Sequence, residues 1–478
     1  MNIRTTSEET RFKKHLEIED NNRIIFSGIF GIGKTYFLKD FFNENSSFES
    51  FRLSPVNYSI SNTEDIIEYI KYDIIFELLS KNIEYNVEEF PLELTSQFYV
   101  QENFVEIFSS IAKYCGKIGK SVSEIALDLK KLKTDITAHK DKYKINEKKE
   151  LIDFLKEVTV RPGSIFEENY ITLLISNLIT TLESKEKKTV LIIDDLDRLD
   201  PEHIFRILNV FACHFDIDST SNKFSIEKII LVCDIDNIRK IFNTKYGQET
   251  DFSGYIDKFF SNEIFFFNSK KEISEILLGI LSSINYIPES QDYFNPKIPN
   301  YDSSKLLKII LKDLIYSDAI NLRTLLKLSG KNYEIKSYHF SVTNAHQNRI
   351  SNENFGILMI FDFLSSLFGS KENLRQALEE LAKNKINKFI DSYNYHIFDS
   401  IVVFIDYKNN KLKEGKYTYS NPQLDLLIEY EIERLNYRIS KNIIEIKSMK
   451  NEKSKDYFPY PDLLKIAFTL YKNLEIIN

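Results

Sequence analysis

An α/β fold, with a mainly parallel sheet covered by helices on both faces, is what this sequence predicts, and three observations predict it. Short apolar runs alternate with amphipathic stretches through about residue 269. The first such run leads into the glycine-rich string Gly28-Ile29-Phe30-Gly31-Ile32-Gly33-Lys34-Thr35, which in turn opens an amphipathic stretch. A later run, Thr189-Val190-Leu191-Ile192-Ile193, ends in the paired acids Asp194 and Asp195. Buried parallel strands read as continuous apolar runs, and their carboxyl ends open on a crevice where ligands bind.

The glycine-rich string satisfies every fixed position of the phosphate-loop pattern G-x-x-x-x-G-K-[ST]. The chain has only 13 glycines, so finding Gly28, Gly31 and Gly33 this close together is informative. Glycines let the loop curl until backbone N–H groups converge on phosphate oxygens, Lys34 reaches the β- and γ-phosphates, and the Thr35 hydroxyl ligates Mg²⁺. Ile24-Ile25-Phe26 reads as the strand entering the loop, and Phe37, Leu38, Phe41 and Phe42 share one face of the helix leaving it. The acids after Ile193 supply the second half of such a site, the Walker B element. There Asp194 holds the hydration shell of Mg²⁺ and Asp195 orients or deprotonates the attacking water. The expected fold is therefore a P-loop NTPase.

The string Leu191-Ile192-Ile193-Asp194-Asp195-Leu196-Asp197-Arg198-Leu199, far downstream of a phosphate loop, resembles the KAP family of P-loop NTPases, related to STAND and AAA-type ATPases. Further segments agree. Pro201-Glu202-His203-Ile204 begins a helix, and Lys228 to Asp234 is a strand ending in an acid. Gly254-Tyr255-Ile256-Asp257-Lys258-Phe259-Phe260 leads into the strand Ile264 to Phe267, and Asn321-Leu322-Arg323 resembles the family's lid motif, with Leu322 where proline is usual. The resemblance spans roughly residues 10 to 330 and implies ATP over GTP, in keeping with the lack of an Asn-Lys-x-Asp guanine signature. Many family members carry two transmembrane helices between the Walker motifs; this chain has the long insertion without them.

The candidate nucleotide-binding residues are thus Gly28, Gly31, Ile32, Gly33, Lys34, Thr35 and Tyr36. Thr35 and Asp194 are the candidate Mg²⁺ ligands, and Lys34, Asp195, Arg198, Asp234 and Arg323 the candidate catalytic residues. Arg198 either pairs with the Walker B acids, the favoured reading, or reaches the γ-phosphate of a neighbouring protomer. Asp234 stands where a sensor of the γ-phosphate would act through Mg²⁺ or water, and Lys258 and Arg323 are either cationic sensors or surface ion pairs.

Six segments follow. Residues 1–80 form the first part of the nucleotide-binding core, with a second strand from Phe51 to Tyr58 and a helix after Ser61. Residues 81–163 form a helical insertion with stripes at Phe104 to Cys115 and Ile125 to Leu132. Residues 164–269 hold the rest of the core, beginning with a helix over Phe166 to Leu182, and residues 270–330 a helical lid with helices over Ile273 to Ile284 and Leu306 to Ile315. Residues 331–353 read as a linker or mobile loop. Residues 354–478 read as a mostly helical C-terminal domain, with helices at Phe355–Phe368, Glu372–Ile390, Pro422–Ile439 and Pro461–Ile476 and a strand pair between Ile397 and Tyr419. No catalytic constellation is recognised in this last segment, and His346 and His396 lack a partner acid, so it is the expected seat of partner specificity.

A formal charge of -8 and a pI near 5.6 argue against a generally basic nucleic-acid surface. The lysines between Lys130 and Lys149 read as a solvated helix face rather than a site for nucleic acid or anionic lipid. No apolar run approaches the roughly 18 residues that span a bilayer, the N-terminal residues are too polar for a secretory segment, and the three cysteines, Cys115, Cys213 and Cys233, form no metal or disulfide pattern. A cytoplasmic location is expected. The function expected is an ATPase whose nucleotide cycle changes conformation or assembly and so controls a protein effector or sensor, with anti-phage defence the setting suggested by analogy. The alternatives are an oligomeric scaffold gated by ATP with little turnover and, less favoured, a nucleic-acid-stimulated motor.

Overall fold

The computed structural model describes residues 6–58, 66–80, 134, 138, 170–183, 187–213, 224–287, 294, 297, 302–341, 349–383, 397–435, 438–450 and 458–477. Apart from Thr134 and Ala138, both helical, the insertion at 81–163 lies outside these residues, as do its amphipathic stripes, the lysines from Lys130 to Lys149, His346 and His396. The chain divides into two compact units, one closing at Asn268 and the other running from Ser269 to Asn478.

The first unit is built on five strands: β1 (Arg23–Ser27), β2 (Phe48–Leu53), β3 (Lys188–Ile193), β4 (Lys228–Cys233) and β5 (Phe265–Phe266). Their order is β2-β3-β4-β1-β5 and every pairing is parallel. In-register pairs such as Ile25↔Leu231, Ile192↔Ile230 and Phe51↔Leu191 put apolar residues opposite one another across the sheet. The alternation of a strand sends Ile25, Leu191, Ile193, Ile229 and Leu231 to one face. There they pack with Ile67, Ile70 and Ile74 of the helix Ile66–Ser80 and Leu174 and Leu178 of Tyr170–Glu183. On the other face Phe26 meets Phe12 of helix α1 (Thr6–Leu16) edge-on at 5.2 Å and Phe37 of helix α2 (Lys34–Glu44) at 5.8 Å. Burial on both faces is why the middles of β1, β3 and β4 are continuous apolar runs, whereas the edge strand β2 is only half buried and carries Glu49, Ser50 and Arg52. The second strand stops at Leu53, and Pro55–Tyr58 is a 3₁₀ turn rather than its continuation. Pro55 has no N–H to give a sheet.

In the second unit the helices Lys270–Ser282 and Asp302–Tyr316 form as their amphipathic stripes predict. They share this unit with the helices Gly356–Phe368, Lys371–Lys383 and Tyr460–Lys472, and Tyr460 donates to buried Asp313. Residues 331–353, read as a linker or loop, contain three short strands, Asn332–Glu334, His339–Ser341 and Arg349–Ser351. Two further element readings are corrected. The helix expected over Pro422–Ile439 is strand: Leu426–Leu435 is the centre of an antiparallel sheet between Gly415–Asn421 and Arg438–Lys447. Its sequence alternates, with Ile428, Tyr430 and Ile432 buried and Glu429 and Glu431 between them, so the period is 2 and not 3.6. The strand pair expected between Ile397 and Tyr419 is instead the helix Asp399–Ile405 and a helical turn at Tyr407–Asn410, with strand only from Gly415.

Candidate functional site

The carboxyl ends of β1, β3 and β4 carry the phosphate-loop pattern, the paired acids and Asp234 respectively, so three sequence-distant segments meet at one edge of the sheet. Strand β4 lies between the loop strand and the Walker B strand. The loop leaves β1 with Gly28 N–H donating to Cys233 O at 3.1 Å, which anchors it to that central strand. A Cβ on Gly28 would stand 3.1 Å from the carbonyl oxygen of Phe267 and 3.3 Å from Ile32, so a side chain there would crowd the loop. Gly31 and Gly33 have φ of 80° and 105°, the left-handed region that only glycine enters at little cost. This curl aims the start of α2 outward, and a helix N-terminus with free N–H groups is a ready anion site.

Lys34 is buried, and its Nζ donates to Gly28 O at 2.5 Å and Ile29 O at 3.3 Å. The ammonium thus lies inside the loop's curve, where phosphate oxygens would replace those carbonyls. Thr35 Oγ1 donates to Asp194 Oδ2 at 2.6 Å across 159 positions of sequence. Hydroxyl and carboxylate oxygens are the donors that Mg²⁺ prefers, and one or two protein oxygens with substrate phosphates and waters are its usual shell. The residues present therefore fit the metal that the motif implies.

Asp194 is only 1% exposed and is held from every side. Its Oδ1 accepts from Asp195 N–H at 2.8 Å, and its Oδ2 also accepts from Arg52 Nη2 at 2.7 Å and Arg52 Nε at 3.1 Å. Arg52 comes from β2, where it pairs with Ile192 of β3, two positions before the acid. Sequence reasoning missed it. The available signal was a charged residue near the end of an otherwise half-buried strand, whose head needs a partner if the fold takes it out of water.

Asp195 sits in the left-handed region at φ 56°, ψ 37° and opens a 3₁₀ turn, Leu196–Arg198, that carries Arg198 back to it: Arg198 Nη1 to Asp195 Oδ2 is 2.9 Å. The guanidinium also lies 5.9 Å from the centre of the Phe30 ring at the loop tip. In this structure Arg198 has the pairing geometry. Asp197, two residues beyond Asp195, accepts from Asn237 Nδ2 at 3.2 Å. Burial pushes its carboxyl up from the ordinary value, against the Asn237 hydrogen bond and the Lys34 charge. Neither Asp197 nor Asn237 was singled out from sequence. Cys233 is buried, with its thiol pushed up by burial, and so is inert.

Asp234 accepts from Asp236 N–H at 3.1 Å and caps the helix Ile235–Tyr246. Ile32 is buried beneath the loop, whereas Tyr36 is 46% exposed on α2. Lys258 lies in the turn Asp257–Phe259, and its carbonyl accepts from Arg23 at 3.0 Å. Arg23 starts β1, at the end away from the loop, so Lys258 is not gathered with the other candidates. Arg323 belongs to the second unit, in the short helix Leu322–Leu326 whose N-cap Asn321 accepts from Thr324 N–H at 2.9 Å. The first unit thus brings together the loop, Lys34, Thr35, Asp194, Asp195 and Arg198, with Asp234 on the neighbouring strand.

Among protein-family models, the one described as the KAP family P-loop domain matches residues 14–339. No curated protein matches the chain. No helix among the described residues is long and apolar enough to cross a membrane.

Proposed function

This chain belongs to the KAP family of P-loop NTPases, and we propose that it acts as an Mg²⁺-dependent ATPase whose nucleotide cycle changes its conformation or assembly. The observation that carries this reading is the Thr35–Asp194 contact at 2.6 Å, with the Lys34 ammonium held in the adjoining loop. In this reading the loop N–H groups and Lys34 bind and orient the β- and γ-phosphates, exchanging the Gly28 and Ile29 carbonyls for phosphate oxygens. Thr35 and Asp194 would hold Mg²⁺, which when bound neutralises charge on the phosphates. Asp195 takes the proton of the attacking water or fixes its orientation; its Oδ2 carries the Arg198 pair, and where that pair opens the guanidinium becomes available to the transferring phosphoryl group. Asp234 is proposed to sense the γ-phosphate indirectly, through Mg²⁺ or a water, and to report it to the helix that it caps.

The test is steady-state ATP hydrolysis by wild type beside Lys34→Ala and Asp195→Asn, with oligomer mass recorded with and without ATP. Turnover lost in both variants supports the reading, and a wild type that binds no ATP sinks it. The Asp195–Arg198 pair favours one second reading, a nucleotide-gated scaffold, because it ties one of the two oxygens of the proposed catalytic carboxylate to Arg198 at 2.9 Å. Binding and a change of mass without turnover would support that reading. A setting in anti-phage defence, with a separate protein effector, extends the proposal by family analogy only; loss of protection against phage in a Lys34→Ala strain is the corresponding assay.

A further inference from the structure

Asp194 carries four hydrogen bonds: from Thr35 at 2.6 Å, from Arg52 at 2.7 and 3.1 Å, and from Asp195 N–H at 2.8 Å. An ionised carboxylate has about four acceptor sites in all. The four are unevenly shared: Oδ1 accepts one, whereas three of the four donors crowd Oδ2, which has about two sites and is the same oxygen that meets Thr35. For Oδ2, the oxygen beside Thr35, to accept from the waters of a cation seated there, a donor has to leave it. Thr35 is fixed at the start of α2, and the Asp195 N–H belongs to the next residue in the chain. Arg52 reaches in from another strand on a long side chain that is 34% exposed, and it alone among the donors bears a positive charge that a cation would replace.

We propose that Arg52 is a counter-ion that Mg²⁺ displaces from Asp194 when nucleotide binds, so that Arg52 sets the Mg²⁺ concentration at which the site loads. This rests on the reading of the site as one for Mg²⁺-nucleotide. Arg52 is a positioning residue: before loading it holds the buried carboxylate in place, and its two donors compete with the metal's water shell for a single oxygen.

The test follows the anisotropy of a fluorescent ATP analogue while MgCl₂ is titrated, and repeats the binding in EDTA. Arg52→Ala is expected to lower the Mg²⁺ concentration for half-maximal binding by roughly tenfold, the size of one charge-assisted hydrogen-bond exchange, with each variant's own binding in EDTA as its baseline. Arg52→Lys, with a charge but no fork, falls between. In an Asp194→Asn background Arg52→Ala produces no shift. Arg52→Met keeps the apolar stem, and thermal melts of all variants guard against misfolding. A threshold equal to wild type overturns the inference, and so does weaker binding at every Mg²⁺ concentration, which would make Arg52 a phosphate ligand. A wild type that never binds the analogue overturns the functional reading as well, whereas binding with an unmoved threshold overturns only the role of Arg52.

Discussion

Asp195 and Gly33 both take left-handed backbone at the site, and the two positions tolerate substitution differently. At φ 56°, ψ 37° Asp195 lies in a region that Asp and Asn enter more easily than alanine does. Asp195→Asn therefore isolates the chemistry of the carboxylate, with a melting temperature close to wild type, since the partly exposed pair with Arg198 adds at most about 1 kcal/mol. Asp195→Ala should cost about 1 kcal/mol more than Asp195→Asn in denaturant titrations; equal stability of the two would contradict the backbone argument. Gly33 at φ 105° has no such tolerant substitute, and Gly33→Ala is expected to lower nucleotide-analogue affinity by about 5- to 30-fold, through the same backbone cost of about 1–2 kcal/mol falling on the bound loop.

At the level of single elements, several residues near the site serve their own helix first. Asp200 accepts from Glu202 N–H at 2.9 Å and caps Pro201–Leu208, and Asp234 caps Ile235–Tyr246. Loss of a cap costs about 1 kcal/mol. Asp234→Asn keeps an acceptor oxygen and should unfold like wild type, while Asp234→Ala should lose about 1 kcal/mol; a turnover defect in the asparagine variant would then report on the site and not on the helix. In the second unit the strand Leu426–Leu435 places the Tyr430 hydroxyl between Asp406, 2.6 Å away, and Asn410, at 2.9 Å. Removing that hydroxyl in Tyr430→Phe leaves buried partners unsatisfied, for an expected loss of about 1–3 kcal/mol. Urea unfolding curves that superimpose on wild type would show that water takes its place.

For the whole molecule, the response to pH has an identifiable source in the second unit. Asp399 is buried, and burial pushes its carboxyl up to about 8, aided by the charge of Asp302 and opposed by the Ile443 N–H and Lys441. Burial likewise pushes Lys441, which donates to Asn354 O, down to about 8. In the unfolded chain the carboxyl loses its proton near pH 4. Between about pH 4 and 8 the folded state therefore holds a proton that the unfolded state lacks, and stability falls as pH rises through that window. Above about 8 the folded Lys441 gives up a proton that the unfolded lysine keeps to about 10.5, and stability recovers. Melting temperatures from pH 5 to 8 should fall more steeply in wild type than in Asp399→Asn; parallel profiles would remove Asp399 as the cause.

The sequence by itself determined the parts of this protein whose signals are local. The loop Gly28–Thr35, the apolar run into Asp194 and Asp195, and the helical faces of Phe37 to Phe42 and Ile66 to Leu78 are each written within one or two turns of chain, where residue type and spacing decide the backbone. Tertiary structure decided what depends on partners far away. Arg52 meets Asp194 only because β2 and β3 pair in a particular register, across 142 positions of sequence. Leu426–Leu435 is a different case: its alternation Ile428-Glu429-Tyr430-Glu431-Ile432 already had the strand period, and what the neighbours decided was only which strands it pairs with. Periodicity fixes which face of an element is apolar, but the pairing of a charge with its counter-charge is set by where the folded chain brings two strand ends together.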